Sequence, residues 1–199
     1  MMSARARRLA IPLAAFLAGL LVLGAALILA LSPGQQQAPG GAGVGGPFTL
    51  VRQDGQTVTE KDFAGAPFLV FFGFTHCPDV CPTTLFEVSE VLRAAGDKGK
   101  RVRALFITVD PERDTPEVMK SYLGSFDARI VGLTGSPAAI DAVAKAYKAY
   151  AKKVPLKDGG YTMDHTAIVY LMDAKGRFVG SFNLKRSPDE AARDLLRYL

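Results

Sequence analysis

The chain has 199 residues, 49% of them hydrophobic, and a formal charge of +5. That length holds one ordinary domain of about 100–150 residues with a remainder. Three of the 24 Lys and Arg flank an N-terminal apolar run, leaving 21 against 19 acidic residues; with no Trp and no basic tract, nucleic acid is excluded as a partner.

The remainder lies at the front. Residues 1–10 carry Arg5, Arg7 and Arg8, and no charge follows between Leu9 and Val51. Residues 11–31 are almost wholly apolar, and 21 residues at about 1.5 Å each match a hydrocarbon core roughly 30 Å thick. Clustered arginines stay on the cytoplasmic side, so residues 1–10 read as a cytoplasmic flank, 11–31 as one transmembrane helix, and everything beyond as exported. A cleaved leader shares the basic start, but its apolar stretch runs to about 7–15 residues. Its best small-residue site, Ala30-Leu31-Ser32, is followed at once by Pro33, so an uncleaved anchor is expected.

Residues 32–47, rich in Gly, Pro and Gln, read as a flexible linker, and residues 48–199 as one folded domain. Asp54-Gly55 marks a hairpin turn within 48–58. Residues 67–74 form a continuous apolar run typical of a strand buried on both faces. Residues 83–95 show helical spacing through Leu85, Val88, Val91 and Leu92. A second buried strand is expected over 102–109, and Thr115-Pro116 opens a helix with a cap followed by proline. A short strand follows at 130–133, a helix from Ser136-Pro137, two strands at 167–172 and 177–182 joined by a tight turn, and a last helix over 188–199. The order β-α-β-α-β-β-α, with a cysteine motif directly after a central strand, predicts an α/β thioredoxin-like fold with a mixed sheet.

The motif is Thr75-His76-Cys77-Pro78-Asp79-Val80-Cys81-Pro82. In an exported protein two cysteines ordinarily form a structural staple, yet a bridge between residues four apart removes little chain entropy. Working chemistry is the stronger reading. A helix N-terminus favours thiolate over thiol, and the spacing lets both sulfurs sit on one helical turn, to bridge reversibly or to grip one ion. Spacing alone does not choose between those roles. Soft thiolates select copper, zinc or iron–sulfur clusters, and two cannot complete a zinc or cluster site. Of the two imidazoles, His76 reads as a solvated neighbour tuning the thiolates, while His165 lies just before a core strand and is expected to face the cysteine turn. Asp79 reads as a helix cap, Asp164 equally as an orienting group for His165 or as a turn residue, and 110–114 as a structured loop beside the site.

Residues 73–84, 109–116 and 164–167 together resemble the Sco/SenC family of copper-binding assembly proteins of cytochrome c oxidase. The resemblance implies a copper site, for Cu(I), Cu(II) or both, on Cys77, Cys81 and His165. It also implies delivery of copper to, or reduction of, the cysteines of the CuA site in oxidase subunit II, and leaves room for an upstream copper donor. It implies a bacterial inner-membrane protein with its domain in the periplasm, or the mitochondrial intermembrane-space counterpart. Thioredoxins place a cis-proline where this chain has Asp164-His165-Thr166, which favours metal handling. The alternative is a thiol–disulfide oxidoreductase with Cys77 and Cys81 as its redox-active pair.

Overall fold

The computed structural model describes residues 43–157 and 159–199. The expected span at 11–31 lies outside them, and no helix among the described residues is long and apolar enough to cross a membrane. In chain order the elements are β1 (Thr49–Arg52), β2 (Thr57–Thr59), β3 (Phe68–Gly73), α1 (Val80–Ala95), β4 (Arg103–Thr108), α2 (Pro116–Leu123) and β5 (Ile130–Thr134). There follow α3 (Pro137–Ala146), β6 (Ala151–Pro155), β7 (Tyr161–His165), β8 (Val169–Met172), β9 (Phe178–Ser181) and α4 (Pro188–Leu196).

Seven strands form one mixed sheet in the order β2-β1-β5-β4-β3-β8-β9. β3, β4 and β5 run parallel, registered through Val70 on Leu105 and Phe106 on Gly132. β8 lies antiparallel beside β3 with Val70 on Tyr170, and β1 antiparallel beside β5. Every residue of β3 and β5 is buried, which is why their sequences read as unbroken apolar runs: a strand covered on both faces has no polar side to alternate with. An aromatic trio locks the centre. Phe72 on β3 meets Tyr147 after α3 and Tyr170 on β8 with ring centroids 5.6 and 6.0 Å away, and the two tyrosines are 5.7 Å apart. Such edge-on pairs add about 0.5–1.5 kcal/mol each beyond the area they bury.

The local signals produced the elements they predicted. Asp54-Gly55 turns the β1–β2 hairpin, with Gly55 at φ 85°, a left-handed value that favours glycine. Thr115 and Ser136 cap α2 and α3 by accepting the N–H of Val118 and Ala139, each with proline in the first turn. Ser187 and Glu190 form a reciprocal capping box on α4, which stops at Leu196 rather than running to the terminus. α1 starts at Val80, three residues ahead of its apolar spacing, and β8 at Val169 rather than at residue 167. Residues 43–47, the end of the expected linker, are already fastened: Gly45 N–H donates to Ala146 O at 2.9 Å, and Val44 packs on the core.

One element is wholly new. β6 and β7 pair antiparallel as a separate two-stranded sheet, from Ala151 on His165 to Pro155 on Tyr161. Two bonds between Tyr150 and Thr166, one from each amide, close its base at 3.0 and 2.9 Å. His165 is thus the last residue of a projecting hairpin rather than part of a loop entering the core sheet.

Candidate metal centre

β3 delivers the cysteine segment. The strand ends at Gly73, Phe74 is buried behind it, and Cys77 N–H turns back onto Phe74 O at 3.3 Å. Only Cys81 lies on α1. Cys77 precedes the helix, so the two sulfurs do not share a helical turn as the spacing suggested; they meet because the chain folds back. Cys81 N–H, one of the first-turn donors without an intrahelical acceptor, points at Cys77 Sγ at 3.4 Å. Asp79 occupies the cap position, but its exposed side chain makes no capping bond. The sulfur of Cys77 takes that place, because φ −142° and ψ −70° at Asp79 lie outside the extended geometry from which a cap side chain reaches the amides.

The cysteines differ in surroundings. Cys77 is half-buried and Cys81 has no exposed surface; neither is bridged. Burial raises the pKa of Cys81, against a lowering contribution from the Phe74 amide and with help from neighbouring Cys77. The thiolate expected from the helix N-terminus is therefore overruled at Cys81 by desolvation, which disfavours the charged form.

His165 completes the cluster. One ligand atom from each of Cys77, Cys81 and His165 lies within 4.8 Å of the others, and His165 Nε2 sits 3.7 Å from Cys81 Sγ. Its Nδ1 lies 3.1 Å from Thr166 O. A carbonyl only accepts, so Nδ1 carries a proton, and Nε2 is the nitrogen turned toward the sulfurs. Phe71 and Phe74 meet the imidazole edge-on at 6.3 and 5.7 Å and fix its plane. Asp164 is exposed and stands opposite Lys152 in the hairpin register, and the group at hydrogen-bond distance from His165 Nδ1 is the carbonyl of Thr166. His76 points away as expected, exposed, with Nδ1 3.1 Å from Thr75 Oγ1 and 3.9 Å from Asp114 Oδ1.

Two contributors escaped the sequence reading. Asp114, fully buried, accepts from Thr75 N and Oγ1 at 3.0 and 2.6 Å and from Thr108 Oγ1 at 2.6 Å. An Asp amid Thr115-Pro116 looks like helix-start chemistry, which hid this. The other is Gly73. A Cβ there would lie 2.9 Å from Cys81 Sγ and 2.6 Å from the Phe106 ring, so the close approach of sulfur to strand needs glycine. Gly73→Ala is expected to cost about 1–3 kcal/mol, the usual penalty of overpacking. Chemical denaturation of the reduced protein measures it; an unchanged midpoint refutes the packing argument.

Two thiols and one imidazole nitrogen converging at the end of a central strand suit a soft ion better than Mg²⁺ or Ca²⁺, which take oxygen donors. Three donors with one half-exposed sulfur leave room for exchange. The molecule is a thioredoxin-like domain carrying a dithiol–imidazole centre in place of a cis-proline dithiol; no cis peptide occurs among the described residues. More particularly, the chain belongs to the SCO1/SenC family, whose family model matches residues 36–199. The mitochondrial protein SCO1 homolog 1 of Arabidopsis thaliana is 40% identical over 151 residues, 75% of this chain and 45% of that one. The chain spans about half the length of the curated relatives it matches. The copper-bound structure of Bradyrhizobium japonicum ScoI superposes with a TM-score of 0.76 at 64% identity, over 78% of this chain and 99% of that one. BsSco, described as having a disulfide switch and as a member of the Sco family of cytochrome c oxidase assembly proteins, is 25% identical with a TM-score of 0.62, over 79% and 94%.

Proposed function

We propose that this chain is a membrane-anchored copper carrier: Cys77, Cys81 and His165 hold one copper ion and pass it to the CuA site of cytochrome c oxidase subunit II. The observation that carries the reading is Nε2 of His165, turned by the Nδ1–Thr166 O contact toward two unbridged sulfurs. Dithiol exchange has no use for that nitrogen; a three-donor copper site does. Cys77, Cys81 and His165 would hold the ion, each thiol giving up to solvent any proton it carries as its sulfur becomes a ligand. Transfer starts at Cys77, the sulfur that solvent and an incoming thiol can reach. On this reading residues 11–31 anchor the domain, and the arginine flank argues for the bacterial periplasm or its mitochondrial equivalent. An upstream donor loads it. The copper-bound relative and the oxidase-assembly description of BsSco support this assignment.

A second reading is favoured by the asymmetry of the cysteines. Half-exposed Cys77 as thiolate can attack a partner disulfide; Cys81 then attacks Cys77 Sγ, releasing the partner dithiol and leaving this chain oxidised by two electrons. Both roles share the sulfurs, so they exclude one another at any instant. The purified reduced protein is expected to take up one copper ion per chain and the air-oxidised protein none, with thiol counts of two and zero. Equal uptake by both forms would sink the assignment.

A further inference from the structure

The two halves of the centre come from segments 84 residues apart, and neither is a strand of the main sheet. The Thr75–Cys77 stretch is loop, and the hairpin carrying His165 pairs with no strand of the main sheet. The loop after β4 holds both. At one end, buried Asp114 takes the amide and hydroxyl of Thr75, two residues before Cys77. At the other, Tyr161 is gripped on three sides. Its hydroxyl donates to Asp110 Oδ1 at 3.0 Å, Arg113 Nη1 donates to its carbonyl at 3.2 Å, and the guanidinium lies 3.8 Å over its ring. Arg113 Nε also bonds to Asp110, and the same guanidinium lies 5.9 Å from Phe74, whose far partner is His165. Tyr161, Met163 and His165 share one face of β7 by strand alternation. A rotation of the hairpin that freed Tyr161 would therefore carry the imidazole off Phe74 and away from the sulfurs.

We infer that Arg113 and Tyr161 are positioning residues for His165: the Asp110–Asp114 loop is a brace that sets the distance between the imidazole and the cysteine pair before any ion arrives. The inference rests on the copper-site reading of the preceding section for its consequence, though not for its geometry. Arg113 suits the task because its planar fork serves Asp110, the Tyr161 carbonyl and two aromatic faces at once; a lysine offers a point charge and cannot.

The test uses the full-length protein with Arg113→Lys, Tyr161→Ala and Tyr161→Phe, the last keeping the ring beneath the guanidinium while removing the bond to Asp110. Two readouts are taken. In the reduced, metal-free protein, proton–proton contacts between the His165 and Phe74 rings are followed by NMR; they are expected in wild type, weakened in Tyr161→Phe, and lost in Arg113→Lys and Tyr161→Ala. Titration with Cu(II) ions, followed by thiolate charge-transfer absorption, is expected to show affinity down by about 10–100-fold in those two variants, as when groups supporting a ligand are removed. Tyr161→Phe is expected to restore most of it. Cu(I) affinity and the dithiol–disulfide potential should stay near wild type, which a general loss of structure would not allow. Persistence of the ring contacts in folded Arg113→Lys and Tyr161→Phe overturns the brace. Loss of the contacts with unchanged Cu(II) absorption and affinity leaves the brace standing and overturns His165 as a ligand. If Arg113→Lys and Tyr161→Ala do not fold, Tyr161→Phe decides alone by the ring contacts, and contacts as strong as in wild type overturn the brace.

Discussion

His165→Ala is expected to abolish the stable Cu(II) complex and its thiolate colour, with Cu(II) affinity falling by more than about 100-fold, while Cu(I) affinity changes by about tenfold or less. The difference follows from ligand preference. Two soft sulfurs suffice for Cu(I), whereas Cu(II) favours nitrogen and oxygen donors, and the imidazole is the nitrogen aimed into the cluster. The variant should still cycle between dithiol and disulfide, since neither sulfur is touched. In cells it is expected to leave oxidase without its CuA copper and with low activity, partly rescued by added copper. Full oxidase assembly in His165→Ala alongside failure in Cys77→Ser would reverse the ranking and make the thiol–disulfide reading the primary one.

Copper uptake by the reduced protein is expected to release the Cys81 proton over a wide pH range, so that affinity rises by up to about tenfold per pH unit from this group alone. The cause is the buried thiol, whose pKa is raised by desolvation, so that the proton is still present at neutral pH and the ion must displace it. The same shift acts on folding. Above the ordinary thiol range near 8.5 the unfolded chain gives up this proton and the folded chain does not, so the folded state binds more protons and stability falls as pH rises, by at most about 1.4 kcal/mol per unit. Cys81→Ala should remove that slope. Calorimetric titration in two buffers of different ionisation enthalpy counts the protons released; a count that does not drop in Cys81→Ala would show that the proton comes from elsewhere.

The parts of this molecule that were legible in the sequence are those whose causes are local. β3 announced itself because burial on both faces forces an unbroken apolar run, and α2, α3 and α4 because their caps lie within four residues of the groups they satisfy. The cysteine motif was readable for the same reason. The β6–β7 hairpin was not. Ala151–Pro155 is Lys-rich and mostly exposed, and a strand with no buried face carries no alternation; the only hint was the turn-forming Gly159-Gly160 before Tyr161. Missing the hairpin put His165 in the right neighbourhood for the wrong reason. Asp114 as the anchor of Thr75 was illegible because it depends on how the chain returns after β4; Cys77 as the acceptor of the Cys81 amide was masked by Asp79, the ordinary cap residue at that position. Pairing of β1 with β5 is likewise set by distant segments and leaves no local mark.

The 84-residue separation between Cys81 and His165 also sets an order of assembly. β3, α1 and the cysteine turn are neighbours in sequence, while bringing the imidazole to them closes a loop whose entropy costs roughly 4 kcal/mol before any contact offsets it. Local pieces form sooner than such distant ones. A newly made chain therefore exposes a dithiol before it owns an imidazole, and an oxidant met in that interval would seal the sulfurs into a disulfide that has to be reduced before both can serve as ligands. On the copper-carrier proposal, the first partner such a chain needs is a source of electrons rather than an acceptor of copper.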